Sequence, residues 1–247
     1  MKTMSYILAC FTILFLGSCE TLNQYGGQVI SQYGNPSQAE MSSGIKQALE
    51  FGTNYSADRL ATPNGYFNNL AVKILWPEEA QKIERTIRTI GLNKLADDVV
   101  LSVNRAAEQA AIEAKPIFLS AIRQMTLRDA SNILLGSQQD AATEYFKRVT
   151  SEQLRAKFNP IIQANLEKAG ATRHWATAIN AYNRIPLVTK VNPDLDDYVT
   201  QKAIDGLFHE IAQEELKIRT NAASRSTTLL QKVFGWADKN RGAAAGY

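Results

Sequence analysis

The chain has 247 residues, of which 45% are apolar and 21% charged, and 27 Lys+Arg stand against 24 Asp+Glu for a formal charge of +3. That composition excludes a disordered, collagen-like or cysteine-stapled chain. The near balance of charge, with Lys147-Arg148 as the only adjacent pair of cations, excludes the basic footprint of a nucleic-acid binder.

The N-terminus reads as an address. Lys2 is the only charge before Glu20, and Tyr6 to Leu16 is almost wholly apolar. A bilayer span takes about 20 such residues, so this run is the core of a signal peptide. It ends in Leu16-Gly17-Ser18-Cys19, which resembles the bacterial lipobox. The resemblance implies cleavage before Cys19 and acylation of its thiol; a plain secretory peptide cut after a small residue is the alternative. Cys10 would leave with the signal, so no thiol remains for a disulfide or for catalysis. Acyl chains hold at roughly 0.8 kcal/mol per buried methylene, so the mature protein is expected to be membrane-tethered without spanning. Glu20 stands where an Asp would retain an enteric lipoprotein in the inner membrane. The expected place is therefore the periplasm-facing cell envelope, with the outer membrane favoured over the inner.

The expected organisation is a signal peptide over 1–18, a lipidated N-terminus and flexible tether over 19–36, a single helical domain over 37–236, and a disordered tail over 237–247. Within the domain the signals are helical in chain order. Ser37 and Glu40 form a capping box ahead of Met41, Ile45, Ala48 and Leu49. Pro77-Glu78-Glu79 suits a first turn, with Ala80, Ile83, Ile87 and Ile90 on one face and Gly91 as a stop. Leu95, Val99, Val103, Ala106, Ala110 and Ala114 follow at helical spacing, and Pro116 should kink or restart the chain.

Thr126 with Asp129 caps the next helix, which stops at Gly136. Ser137 to Asp140 and Thr150 to Gln153 read as two further caps, with Pro160 as a bend and Gly170 as an end. Residues 173–184 look helical. Asn192-Pro193-Asp194 opens what reads as the longest helix, through Leu195, Val199, Ala203, Leu207 and Ile211. A last helix carries Leu229, Leu230, Val233 and Phe234 and stops at Gly235. Ala71–Trp76 and Leu187–Val191 are the only extended pieces, and no alternating run supports a sheet. The fold class is all-α: one bundle-like domain of about eight to ten helices.

The usual catalytic signatures are missing. There is no G-x-S-x-G elbow, P-loop or G-x-G-x-x-G, and no cofactor is expected. His174 and His209 are too far apart in sequence for a two-histidine zinc motif. Neither follows a Glu at the di-iron spacing. The stretch from Asp194 to Asp197 fails as a calcium loop because Val199 stands where glycine is required. No metal site is expected.

The densest polar group is Asp205, His209, Glu210, Glu214, Glu215 and Arg219. Asp205 and His209 are i,i+4 neighbours, so a carboxylate–imidazole couple with Arg219 steadying an anion is the weak catalytic candidate. The alternative is a solvated face of ordinary ion pairs. Glu214, Glu215, Arg219, Arg105 and Glu108 are the candidate ligand-binding residues. Tyr66-Phe67 and Tyr145-Phe146 read as core.

Asn104-Arg105-Ala-Ala-Glu108, Pro116-Ile-Phe118, Met125-Thr126, Asp129-Ala130, Ile133-Leu134 and Gly136 together resemble the bacterial domain-of-unknown-function 4197 family. So do Ala141-Ala-Thr143 with Tyr145-Phe146, Asn192-Pro-Asp-Leu195 with Tyr198-Val199, and the C-terminal run Asp205-Gly-Leu-Phe208, Ile211-Ala212, Glu214-Glu215, Ile218-Arg219, Arg225 and Val233-Phe-Gly235. The resemblance covers about 40–235 and implies exported, often lipobox-bearing, mainly helical proteins of Gram-negative bacteria. It assigns no catalytic residue. The expected function is a non-enzymatic envelope lipoprotein whose helical domain binds an envelope protein or an apolar ligand. The alternatives are a carrier of a lipid or other apolar small ligand, and an envelope hydrolase using Asp205 and His209.

Overall fold

The computed structural model describes residues 34–240, apart from 185, 188–189 and 192–193, and does not describe the side chains of 174, 177, 178, 181 and 182. Cys19, the signal peptide and nearly all of the tether lie outside the described residues, as does the side chain of His174.

Nine α-helices stand among the described residues: α1 Gln38–Ala61, α2 Gln81–Thr89, α3 Asn93–Ala111, α4 Ala114–Gln124, α5 Leu127–Leu135, α6 Ala141–Lys168, α7 Ala171–Asn183, α8 Leu195–Thr220 and α9 Thr228–Asn240. No strand accompanies them there. Helix α8 packs along α6, α6 along α3, and α1 crosses α8, α3 and α4. Their apolar faces meet in one core that includes Leu60, Phe118, Phe146, Leu154, Phe158, Ile162 and Leu207. Phe118 sets its ring edge-on to both Phe146 and Phe208, the geometry that aromatic quadrupoles favour.

Local chemistry explains most helix ends. Ser37 Oγ accepts from the Glu40 amide at 3.2 Å, and Glu40 Oε2 accepts from the Ser37 amide at 2.8 Å. Lys232 donates to the other Glu40 oxygen, and these bonds hold the carboxyl down at about 2. Thr126 and Asp129 make the same box on α5. Asp194 caps α8 by accepting from the Asp197 amide. Gly91 and Gly170 sit at φ +86° and +69°, the left-handed turn that ends a helix where a Cβ would be strained. Pro116 lies in the first turn of α4, so it restarts the chain there.

Four expectations need correction. Ser137 does not cap α6: that helix starts at Ala141, and its N-cap Asp140 makes no side-chain bond. Thr150 starts no helix, since its buried hydroxyl donates back to Phe146 O at 2.7 Å in the middle of α6. The two expected pieces are therefore one 28-residue helix with Pro160 inside it, and α6 rather than the 26-residue α8 is the longest. Helix α2 buries none of its own residues. Ile83 and Ile87 lean on the core, but Ile90 is 66% exposed. The fourth correction is Gly235, which does not stop α9: the helix runs on to Asn240, and Ala237 is fully buried beyond the expected end of the domain.

Gly235 has helical backbone and open space where a Cβ would go, so Gly235→Ala should stabilise the protein by about 0.5–1 kcal/mol in chemical denaturation. A loss of stability would mean that the glycine ends the helix after all. Gly44 is the contrast in the same bundle. A Cβ there would lie 2.8 Å from Val233 Cγ2, and that close approach lets α1 rest against α9.

Candidate functional site

Between α1 and α2 the chain runs over 62–77 without a helix or strand, yet much of it is buried. Side chains from α3 and α8 satisfy its backbone. Glu108, 2% exposed, accepts the amides of Tyr66 and Phe67 on Oε1 at 3.3 and 3.4 Å. Its Oε2 accepts from Arg105 Nη1 at 2.6 Å, and Arg105 Nη2 donates to Asn64 Oδ1 at 2.7 Å. Asn69 donates to buried Glu210 at 2.8 Å, and Arg59 pairs with the other Glu210 oxygen at 3.2 Å. The fully buried Tyr66 hydroxyl donates to Ala203 O at 2.7 Å. Burial pushes this phenol far above its ordinary value, and Glu210 and Glu108 push it further.

Asn104 acts on the extended part of the segment. Its Oδ1 accepts from the Ile74 amide at 2.9 Å, and its Nδ2 donates to Ile74 O at 2.8 Å and to Val100 O at 2.7 Å. One side-chain amide thus pairs both backbone groups of one residue, as a neighbouring strand would. Asn183 does the same to Val191, at 2.7 and 2.9 Å.

A second cluster joins three helix ends. The buried amides of Ala142 and Thr143 open α6, and both donate to the Glu215 carboxylate at 2.9 Å. Thr143 Oγ1 donates to it at 3.0 Å. Arg219, one turn on, binds Glu215 through Nε and Nη2 at 3.0 and 2.6 Å and also donates to Ile133 O near the end of α5. The anion therefore meets the positive end of α6 and the cation meets the negative end of α5. Arg225 donates to Ile218 O and Arg219 O at the end of α8, both at 3.0 Å, and pairs with Asp238 of α9.

The structure thus turns three of the seven candidate residues inward. Glu108, Glu215 and Arg219 are buried and committed to helix ends or to the 62–77 segment, and Arg105 serves Glu108. Glu214 pairs with Lys217, and this bond raises the lysine. Asp205 and His209 form no couple: Asp205 accepts from Gln201 Nε2 at 2.8 Å, and the His209 ring makes no hydrogen bond among the described residues. Both are exposed. Among the described residues no group of three His, Cys, Asp or Glu is placed to hold a metal.

Asp205 and His209 do line an open cleft of about 610 Å3. One wall is 71–79. The other is an i, i+4, i+7, i+11 stripe of α8: Tyr198, Lys202, Asp205 and His209. Gly206 seats the two walls, because a Cβ there would lie 2.8 Å from the Tyr66 ring and 3.1 Å from Val72 Cβ. Tyr198 ties the far end, donating to Leu75 O at 2.9 Å. Its phenol is pushed up to about 12 by burial, then by Glu79 and Glu78. Tyr198 and Lys202 are the wall residues that sequence reasoning missed, although their spacing with Asp205 and His209 was the available signal. The cavities against the core are far smaller, about 30 Å3 beside Glu215 and Arg219 and about 10 Å3 beside Trp76 and Trp175.

Removing the Glu215 carboxylate strands Arg219 as a buried charge, so Glu215→Ala should cost about 3–5 kcal/mol in urea denaturation. His209→Ala, at an exposed site, should stay within about 0.5 kcal/mol. Equal, small effects would mean that the cluster does not hold the helix ends.

The family model for a protein of unknown function, DUF4197, matches residues 35–235. No curated protein and no solved structure matches the chain. The matched span takes in every helix from α1 to α8, the 62–77 segment, the cleft and, apart from Asp238, both buried polar clusters. The chain belongs to the DUF4197 family of proteins of unknown function.

Proposed function

We propose that the protein is an envelope lipoprotein, acylated on Cys19 and held on the periplasmic face of the outer membrane, whose helical domain binds a partner at the cleft between 71–79 and α8. One observation carries the binding reading. The core cavities of about 30 and 10 Å3 are far below the roughly 300–1,000 Å3 of ligand pockets, whereas the open cleft, at about 610 Å3, falls within that range. That contrast favours a partner engaged at the surface over an apolar ligand carried inside. The lipobox resemblance supports the anchor, and no helix among the described residues is long and apolar enough to cross a membrane. The hydrolase reading loses its parts: Asp205 is bonded to Gln201, and Arg219 lies 5% exposed against Glu215.

Labelled palmitate should enter the parent chain and not Cys19→Ala; equal labelling of the two would contradict the anchor. A photocrosslinking side chain at position 202, in the cleft, should give a discrete adduct in cells, and one at exposed position 128 on α5 should not. Identical products from both positions, or none from 202, would contradict the cleft as the contact site.

A further inference from the structure

We infer that the cleft takes an extended polypeptide segment, added as a strand at the open Lys73 carbonyl and Leu75 amide, beside the Leu75 carbonyl held by Tyr198 and the Lys73 amide held by Asn69 O; this rests on the reading of the cleft as the binding site.

Ile74 gives its N–H and its C=O to one amide group, that of Asn104, which requires extended backbone at that residue. In extended backbone the groups of the flanking residues point the opposite way. Leu75 O does so and meets Tyr198 on α8, so the second edge faces the α8 wall. On that edge Lys73 O and Leu75 N have no hydrogen-bond partner among the described residues. An acceptor and a donor two residues apart match one residue of an added strand, the recognition mode in which main-chain bonds supply affinity and side-chain contacts supply selectivity. Asn104 already plays the strand on the other edge.

The dimensions agree. The α8 wall runs from Tyr198 to His209, about 16 Å at 1.5 Å per residue, which is the length of about five extended residues. The charges give a polarity. Glu78 and Glu79 stand at the Tyr198 end, close enough to raise its phenol. Lys73 and Lys202 also line the cleft, the first with its ammonium 3.9 Å from the centre of the Phe67 ring and the second 5.9 Å from that of Tyr198. The segment that complements these walls carries a basic residue facing Glu78 and Glu79 and an acidic residue on the stretch that carries the lysines. Leu75, 56% exposed, offers an apolar contact beside the open N–H.

The test uses the full chain in detergent, panned against a displayed library of random twelve-residue peptides. The expected result is enriched peptides with a basic and an acidic residue at fixed separation. They should slow exchange of the Leu75 amide and lose about tenfold or more in affinity when alternate backbone nitrogens are methylated. Leu75→Pro removes that N–H while favouring extended backbone at Ile74, and it should weaken binding by a similar factor. Peptides that bind with alternate nitrogens methylated and leave the Leu75 amide unprotected would overturn strand addition, and so would a library with no enrichment. In either case an adduct at position 202 to a glycan, a lipid or a folded protein surface would keep the cleft as the contact site and reject only the strand.

Discussion

Buried backbone polar groups must be hydrogen-bonded, and this bundle buries many that its helices cannot satisfy themselves. The start of α6, the ends of α5 and α8 and the parts of 62–77 around Tyr66 and Ile74 lie against the core, where solvent cannot serve them. Side chains from other helices take that place. Glu215 caps α6, Arg219 and Arg225 take carbonyls at the ends of α5 and α8, and Glu108 and Asn104 hold the 62–77 segment. A buried donor or acceptor left alone costs about 1–3 kcal/mol, and a charge costs more. Each of these residues therefore fixes a junction that packing alone would leave loose.

This arrangement also positions the cleft. Glu108, Tyr66 and Asn69 fasten the segment to α3 and α8, Asn104 holds Ile74 extended, and Tyr198 sets the far end. The wall is then a rigid strand-like edge standing off α8, although no second strand is present beside it among the described residues. Glu108, Glu215 and Arg219, read from the sequence as ligand-binding candidates, act through the backbone they hold, and the open surface belongs to Tyr198, Lys202, Asp205 and His209.

Much of the helical layout was legible because its signals are local. The Ser37–Glu40 and Thr126–Asp129 boxes, Gly91, Gly170 and the Asp194 cap depend on residues within one turn. The failures were non-local. Ser137 looked like a cap because its own turn has the right pattern, but the cap of α6 comes from Glu215, more than 70 residues on. Thr150 looked like a start because a threonine that back-bonds to Phe146 and one that caps a helix have the same neighbours. The candidate site residues divide for the same reason. Sequence gives the i,i+4 spacing of Asp205 and His209 and of Glu215 and Arg219, but it does not say that the first two face a cleft without bonding each other while the second two are paired inside. Extended backbone at Ile74 and Val191 fell within the expected pieces, but the asparagines that pair with those residues were not visible.

Residue-resolved amide exchange on the free protein tests the central claim most directly. If side chains hold the buried backbone, the amides of Tyr66, Phe67 and Ile74 should exchange nearly as slowly as those in the middle of α6, although none of the three lies in a helix or a strand. Those protected amides would open only with the core. Exchange at the rate of exposed loop amides would show that the segment comes away on its own, and the rigid wall of the cleft would go with it.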